Sequence, residues 1–196
     1  MKPKTGLLAI AALLTLGLAW SPAQGQSPAA DSPAHKYFGD TKLVDQNGKE
    51  VRLYSDLMKD KTVVIDVMFT TCTGACPMMS GTFAKIQEHL GARVGKDVNL
   101  ISISVDPVND TPAKLKEYSA RFKAGPGWYF LTGSKENVDA TLRKLGQYVE
   151  NREGHQNLFL IGNDRTGLWK KAFGLAKPEE ILPIVDSVVN DKGEGS

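Results

Sequence analysis

Residues 62–80 read TVVIDVMFTTCTGACPMMS, and this stretch decides the fold. Its first eight residues are an unbroken β-branched and apolar run, the composition of a central strand buried on both faces. The chain's two cysteines, Cys72 and Cys76, follow in a short glycine-containing loop. A helix then starts around Cys76-Pro77. Over residues 78–90 it places Met79, Phe83, Ile86 and Leu90 on one face, with Gly91 positioned as its cap.

On the N-terminal side, TKLVDQNGKEVRL at residues 41–53 carries strand residues on both sides of Asn47-Gly48, a strong hairpin signal. On the C-terminal side, VNLISISV at 98–105 is a second buried strand. Asp110-Thr111-Pro112 opens a helix through residue 123, with Leu115, Tyr118 and Phe122 facing inward. Residues 128–131 form a third short strand, and Ser134 caps a helix to about residue 149. A strand at 157–161, a turn at 163–167 and an antiparallel partner at 168–173 come next. Pro178 opens a final helix with Ile181, Ile184, Val185 and Val188 as its buried stripe. This order predicts an α/β fold, a mixed central sheet flanked by helices, with an N-terminal β-hairpin. No internal repeat, glycine-rich phosphate loop or Gly-x-Ser-x-Gly elbow is present, which excludes those reaction classes.

At 196 residues and 41% hydrophobic, the chain is long enough to bury a core without a covalent staple. Lys2 and Lys4 precede an apolar run at residues 6–20, GLLAIAALLTLGLAW, and a Ser/Pro/Ala/Gln stretch. That is the order of a secretory signal, and the run is shorter than the roughly 20 residues of a spanning helix. Residues 1–25 are therefore expected to be a signal peptide cut before Gln26, with an uncleaved membrane anchor as the alternative. Residues 26–36 have linker composition and are expected to be a flexible lead-in. A single domain at 37–190 and a disordered tail at 191–196 complete the division. Removing residues 1–25 takes away Lys2 and Lys4 and no acid, bringing the formal charge from +2 to zero. No basic stripe remains, so no nucleic-acid partner is expected. Export to the periplasm or another extracytoplasmic space puts the thiols under oxidising conditions. There a thiol pair persists only if a partner reduces it or a metal holds it.

Both thiols fall at a helix N-terminus, where the macrodipole and free N–H groups favour thiolate. At i and i+4 they can share one face, close enough for a disulfide or for one ion. A staple across so short a loop removes little unfolded-state entropy, leaving a redox pair or a metal site. Three histidines could add a ligand. His89 lies about 20 Å along the same helix, and His35 sits in the lead-in. His155, in a polar loop immediately before the strand LFLI, is the best third ligand if that strand neighbours the cysteine-bearing one. Two thiolates and an imidazole are too few for a closed structural zinc site and suit one copper ion, Cu(I) or Cu(II). Met78 and Met79 could add thioether sulfur, although core packing is the expected role of Met79. Asp66 stands in the middle of VVIDVMF, where an unpaired carboxylate is costly. It is either a proton relay for the thiols or a carboxylate with a hydrogen-bond partner.

Three separated motifs, FTTCTGACP, SVDPVNDTP and His155 ahead of FLIGNDRTG, together resemble the Sco (SenC) family of thioredoxin-like copper-handling proteins. The resemblance runs from about Tyr37 to Val189. It implies a thioredoxin-like fold outside a membrane and copper bound by Cys72, Cys76 and His155. It also implies a role in delivering copper, or reducing power, to the copper site of a cytochrome oxidase; the partner expected is that copper-site subunit or another copper-handling protein, and the chain is expected to be a monomer. Whether the chain is a metallochaperone or a thiol-disulfide oxidoreductase stays open at this point. Two positions depart from the family pattern. Thr73 stands where a proline usually follows the first cysteine, and Gly154 where an aspartate usually precedes the histidine. Asp66 six residues before Cys72 is similar to thioredoxin, but the three-residue spacer is not, and GHQNLFLI lacks thioredoxin's loop proline. Phe69 occupies the proline position of the peroxiredoxin pattern Pro-x-x-x-Thr-x-x-Cys, which weakens that reading.

Overall fold

A computed structural model describes residues 32–193. The expected signal peptide or anchor at 1–25, the start of the lead-in and the last three residues of the tail lie outside these. Among these residues seven strands form one sheet: β1 (Lys42–Asp45), β2 (Glu50–Arg52), β3 (Thr62–Met68), β4 (Val98–Ser104), β5 (Trp128–Thr132), β6 (Leu158–Asn163) and β7 (Trp169–Phe173). Their order across the sheet is β2-β1-β5-β4-β3-β6-β7. β3 pairs parallel with β4 and antiparallel with β6, and β4 pairs parallel with β5. The sheet is therefore mixed, and β3 is buried along its whole length, as its apolar run predicts. The N-terminal hairpin forms around Asn47-Gly48: Gly48 takes φ 80°, and the Asp45 carboxylate accepts from the Asn47 and Lys49 amides.

Helices α2 (Ala75–Leu90), α3 (Pro112–Arg121) and α5 (Pro178–Val189) cover one face. Helix α1 (Pro33–Phe38), a π-helical turn at Leu53–Met58 and α4 (Lys135–Lys144) cover the other. Phe83, Trp128, Phe130 and Phe159 fill the first core, and Leu43, Leu53, Ile65 and Leu131 the second. Of the expected stripe on α5, Ile181, Val185 and Val188 are buried, while Ile184 is only partly covered.

Two expectations are corrected. The lead-in read as flexible through Lys36 is helical from Pro33. The Ser32 side chain accepts from the His35 amide, Pro33 fills the first turn, and Phe38 is buried. Ser-Pro here is a cap followed by an N1 proline rather than a linker signal. Helix α4 ends at Lys144 and not near residue 149. Gly146 adopts φ 66° and the Gln147 amide returns to the Leu142 carbonyl, closing the helix with a left-handed C-terminal residue. The freed chain becomes the loop that carries His155.

Candidate metal centre

The turn after β3 is tight: the Cys72 amide donates to the Phe69 carbonyl at 3.1 Å. Helix α2 then begins at Ala75, which puts Cys76 in its first turn and Pro77 where a missing N–H costs no intrahelical bond. Both cysteines are free thiols; Cys72 is half-buried and Cys76 fully buried. Because β6 lies beside β3, the loop entering β6 passes over this helix start. A 3-10 turn at Arg152–Gly154 delivers His155, whose Nε2 stands 3.6 Å from Cys76 Sγ. The Cys72, Cys76 and His155 donor atoms all lie within 4.8 Å of one another, in the one such cluster among the described residues. The expected third ligand is thus brought to the thiols. The other histidines are not: His89 pairs with Asp186 at 2.9 Å, and His35 stacks on Tyr54.

The cluster borders a cavity of about 360 Å³ lined by Phe69, Cys72, Thr73, Arg152, His155 and Asn157. Thr73 is exposed at its mouth. The imidazole meets Phe69 edge-on at 5.8 Å, and its Nδ1 is buried with no partner among the described residues. Met79 is fully buried, as expected of a core residue, and Met78 is exposed.

Helix-terminal thiolate character is not what governs Cys76. Burial pushes its thiol well above the ordinary range, and the neighbouring Cys72 side chain adds to this. A cation that replaces the proton would remove this penalty, since a coordinating thiol is deprotonated outright. Asp66 is also fully buried, in register with Ser102 of β4, with neither carboxyl oxygen hydrogen-bonded. Burial raises its pKa to about 7, against a smaller opposing influence of Ser102.

Residues to which the sequence reading gave no role at the site hold it together. Asp110, fully buried, accepts from the Thr70 amide at 3.2 Å, from Thr70 Oγ1 at 2.5 Å and from Ser104 Oγ at 2.6 Å. It ties the chain two residues before Cys72 to the end of β4, while Thr111 provides the cap of α3. Asp106 pairs with Arg152, whose guanidinium also lies 5.0 Å over the Phe69 ring. The motif SVDPVNDTP thus fastens both halves of the cluster, one through each aspartate. The available signal was the density of acids and turn residues after a buried strand. Asp110→Asn weakens these charge-assisted bonds and is expected to cost about 2–3 kcal/mol in urea unfolding.

A family model described as SCO1/SenC matches residues 29–188. The chain belongs to the SCO1/SenC family. It is 36% identical over 129 residues to an SCO1 protein homolog of Bacillus subtilis, a match spanning 61% of this chain and 65% of that protein. Among solved structures, BsSco, described as a member of the Sco family of cytochrome c oxidase assembly proteins with a disulfide switch, is 33% identical. It superimposes with a TM-score of 0.61 over 74% of this chain and 89% of its own. Copper-bound ScoI of Bradyrhizobium japonicum is 28% identical, with a TM-score of 0.62 over 76% of this chain and 96% of that one. The SCO1/SenC chain accordingly has the thioredoxin-like architecture, with its dithiol loop joining β3 to α2. No helix among its described residues is long and apolar enough to cross a membrane.

Proposed function

We propose that this protein is an extracytoplasmic copper-binding protein that holds one copper ion between Cys72, Cys76 and His155. It passes the ion to the copper site of a cytochrome oxidase during assembly. The observation that carries the reading is the convergence of two thiol sulfurs and an imidazole nitrogen within 4.8 Å at a solvent-reachable loop. The donor set is soft to borderline, matching copper rather than a hard cation. Cys76 is anchored in the helix, whereas Cys72 and His155 come from loops at the cavity, an arrangement that favours ligand exchange without unfolding. The N-terminal run at residues 6–20, as a cleaved signal or an anchor, would place the domain outside the membrane. Titrating the reduced protein with Cu(I) should saturate at about one ion per chain. His155→Ala should lower the affinity by more than the 10- to 100-fold typical of losing a supporting group. Unchanged affinity in that variant removes His155 from the ligand set.

A second reading, a thiol-disulfide oxidoreductase that reduces a partner's copper-site cysteines, is favoured by Asp66. Its carboxyl is fully buried beside Ser102, and its charge bears on Cys76. As a proton relay it would exchange protons with the thiols near neutral pH. In metal-free protein, Asp66→Asn should then slow thiol-disulfide exchange at pH 7 by about a hundredfold, the lower range of positioned acid-base catalysis. An unaltered rate removes the relay.

A further inference from the structure

Strand β7 is the sheet edge opposite the hairpin, and its backbone is only half used. The Asn163 amide donates to the Leu168 carbonyl and the Gly174 amide to the Asn157 carbonyl, which fixes the phase of the β6–β7 ladder. By the alternation of an antiparallel pair, Lys170 and Ala172 bond β6, while the amides and carbonyls of Trp169 and Lys171 point away from it. The side chains of Trp169, Lys171 and Phe173 share one face. That face borders a groove of about 560 Å³, the size of a ligand cleft. Its floor is Phe38, Leu145, Leu160 and Trp169. The indole lies flat on Gly162, where a Cβ would come within 2.5 Å of the ring.

Among the described residues, the groove is lined by Lys144, Lys170 and Lys171 and by no acidic residue. Lys144 donates to the Phe38 carbonyl and Lys170 to the Ser187 hydroxyl. Lys171 is exposed and has no partner among the described residues. Lysine on an edge strand discourages self-pairing, and two copies meeting about Lys171 would set like charges opposite each other. The charge instead complements an acid. Phe173, 58% exposed, stands opposite Leu158, three residues past His155.

We propose that the free edge of β7 receives an extended segment of a partner protein as an eighth strand. The segment presents one acidic residue to Lys171 and apolar residues on either side of it to Trp169 and Phe173. Main-chain bonds supply affinity, and the alternate side chains supply selection. The bound segment runs past the loop that carries His155, so the edge docks a partner beside the metal centre.

The test uses the full chain, reduced and metal-free, so its outcome is separate from that of the copper reading. The probes are the capped heptapeptide TVTETVT and its charge-reversed counterpart TVTKTVT. Saturating TVTETVT should slow hydrogen exchange at the Trp169 and Lys171 amides about tenfold or more. TVTKTVT should leave both unchanged, and Lys171→Glu should reverse the preference. Lack of protection by TVTETVT, equal protection by both peptides, or no reversal in Lys171→Glu overturns the proposal. So does protection that appears with protein concentration alone, which would assign the edge to a second copy. A response to phosphatidylglycerol vesicles without one to peptide would assign the groove to lipid and likewise overturn it.

Discussion

Cys76→Ser lowers Cu(I) affinity by about a thousandfold or more, equivalent to about 4 kcal/mol, and leaves the metal-free fold in place. A hydroxyl is a hard, poorly ionised donor, whereas the sulfur it replaces is soft and loses its proton to a metal. Of Cys72, Cys76 and His155, Cys76 alone is fully buried and set on a helix, and its Sγ lies 3.6 Å from His155 Nε2. The same imidazole gives a buried serine hydroxyl a hydrogen-bond partner, so the apo variant is not left with an orphaned polar group. Competition against a chromophoric Cu(I) chelator measures the affinity, and thermal unfolding of apo protein checks the fold. A variant within tenfold of wild type would show that the dithiol does not hold copper.

Asp66→Asn changes stability in a pH-dependent way. The folded-state pKa of Asp66, about 7, lies above the ordinary 3.8. Between these values the folded chain keeps a proton that the unfolded chain releases. Wild-type stability therefore falls as pH rises from about 4 to about 7 and levels off above, a loss on the order of 4 kcal/mol. Asparagine does not titrate. The stability of Asp66→Asn relative to wild type should thus climb across that window and plateau near pH 8. Urea unfolding at intervals from pH 4 to 8 gives the difference curve, and a flat difference would mean the carboxyl is solvated or paired. Asp40, Asp56 and Asp97 shift the other way, and their pH window lies below about 4, outside this one.

The sheet was legible because its signals are local and redundant. Thr62–Met68 reads as a two-face-buried strand from composition alone, and Asn47-Gly48 fixes the hairpin. Helix α1 was not legible, because it is held by burial of Phe38 and by Tyr37 Oη donating to the Lys144 carbonyl, 107 residues away. The end of α4 rested on one glycine whose left-handed backbone the apolar spacing does not reveal. At the site, the grouping of Cys72, Cys76 and His155 followed from residue types once β6 was placed beside β3. Asp106 and Asp110 could not be assigned, since their partners Arg152 and Thr70 lie 46 and 40 residues away. The thiolate expected from the helix start was overruled at Cys76 because burial outweighs a dipole whose effect is modest.

The central claim is that one copper is held by two sulfurs and one imidazole. X-ray absorption at the copper edge of protein loaded with one equivalent of Cu(I) tests it most directly. Two sulfur scatterers and one nitrogen scatterer with the multiple-scattering pattern of an imidazole ring are expected, the ring pattern vanishing in His155→Ala. A first shell with one sulfur, or an imidazole pattern that survives in His155→Ala, would contradict it.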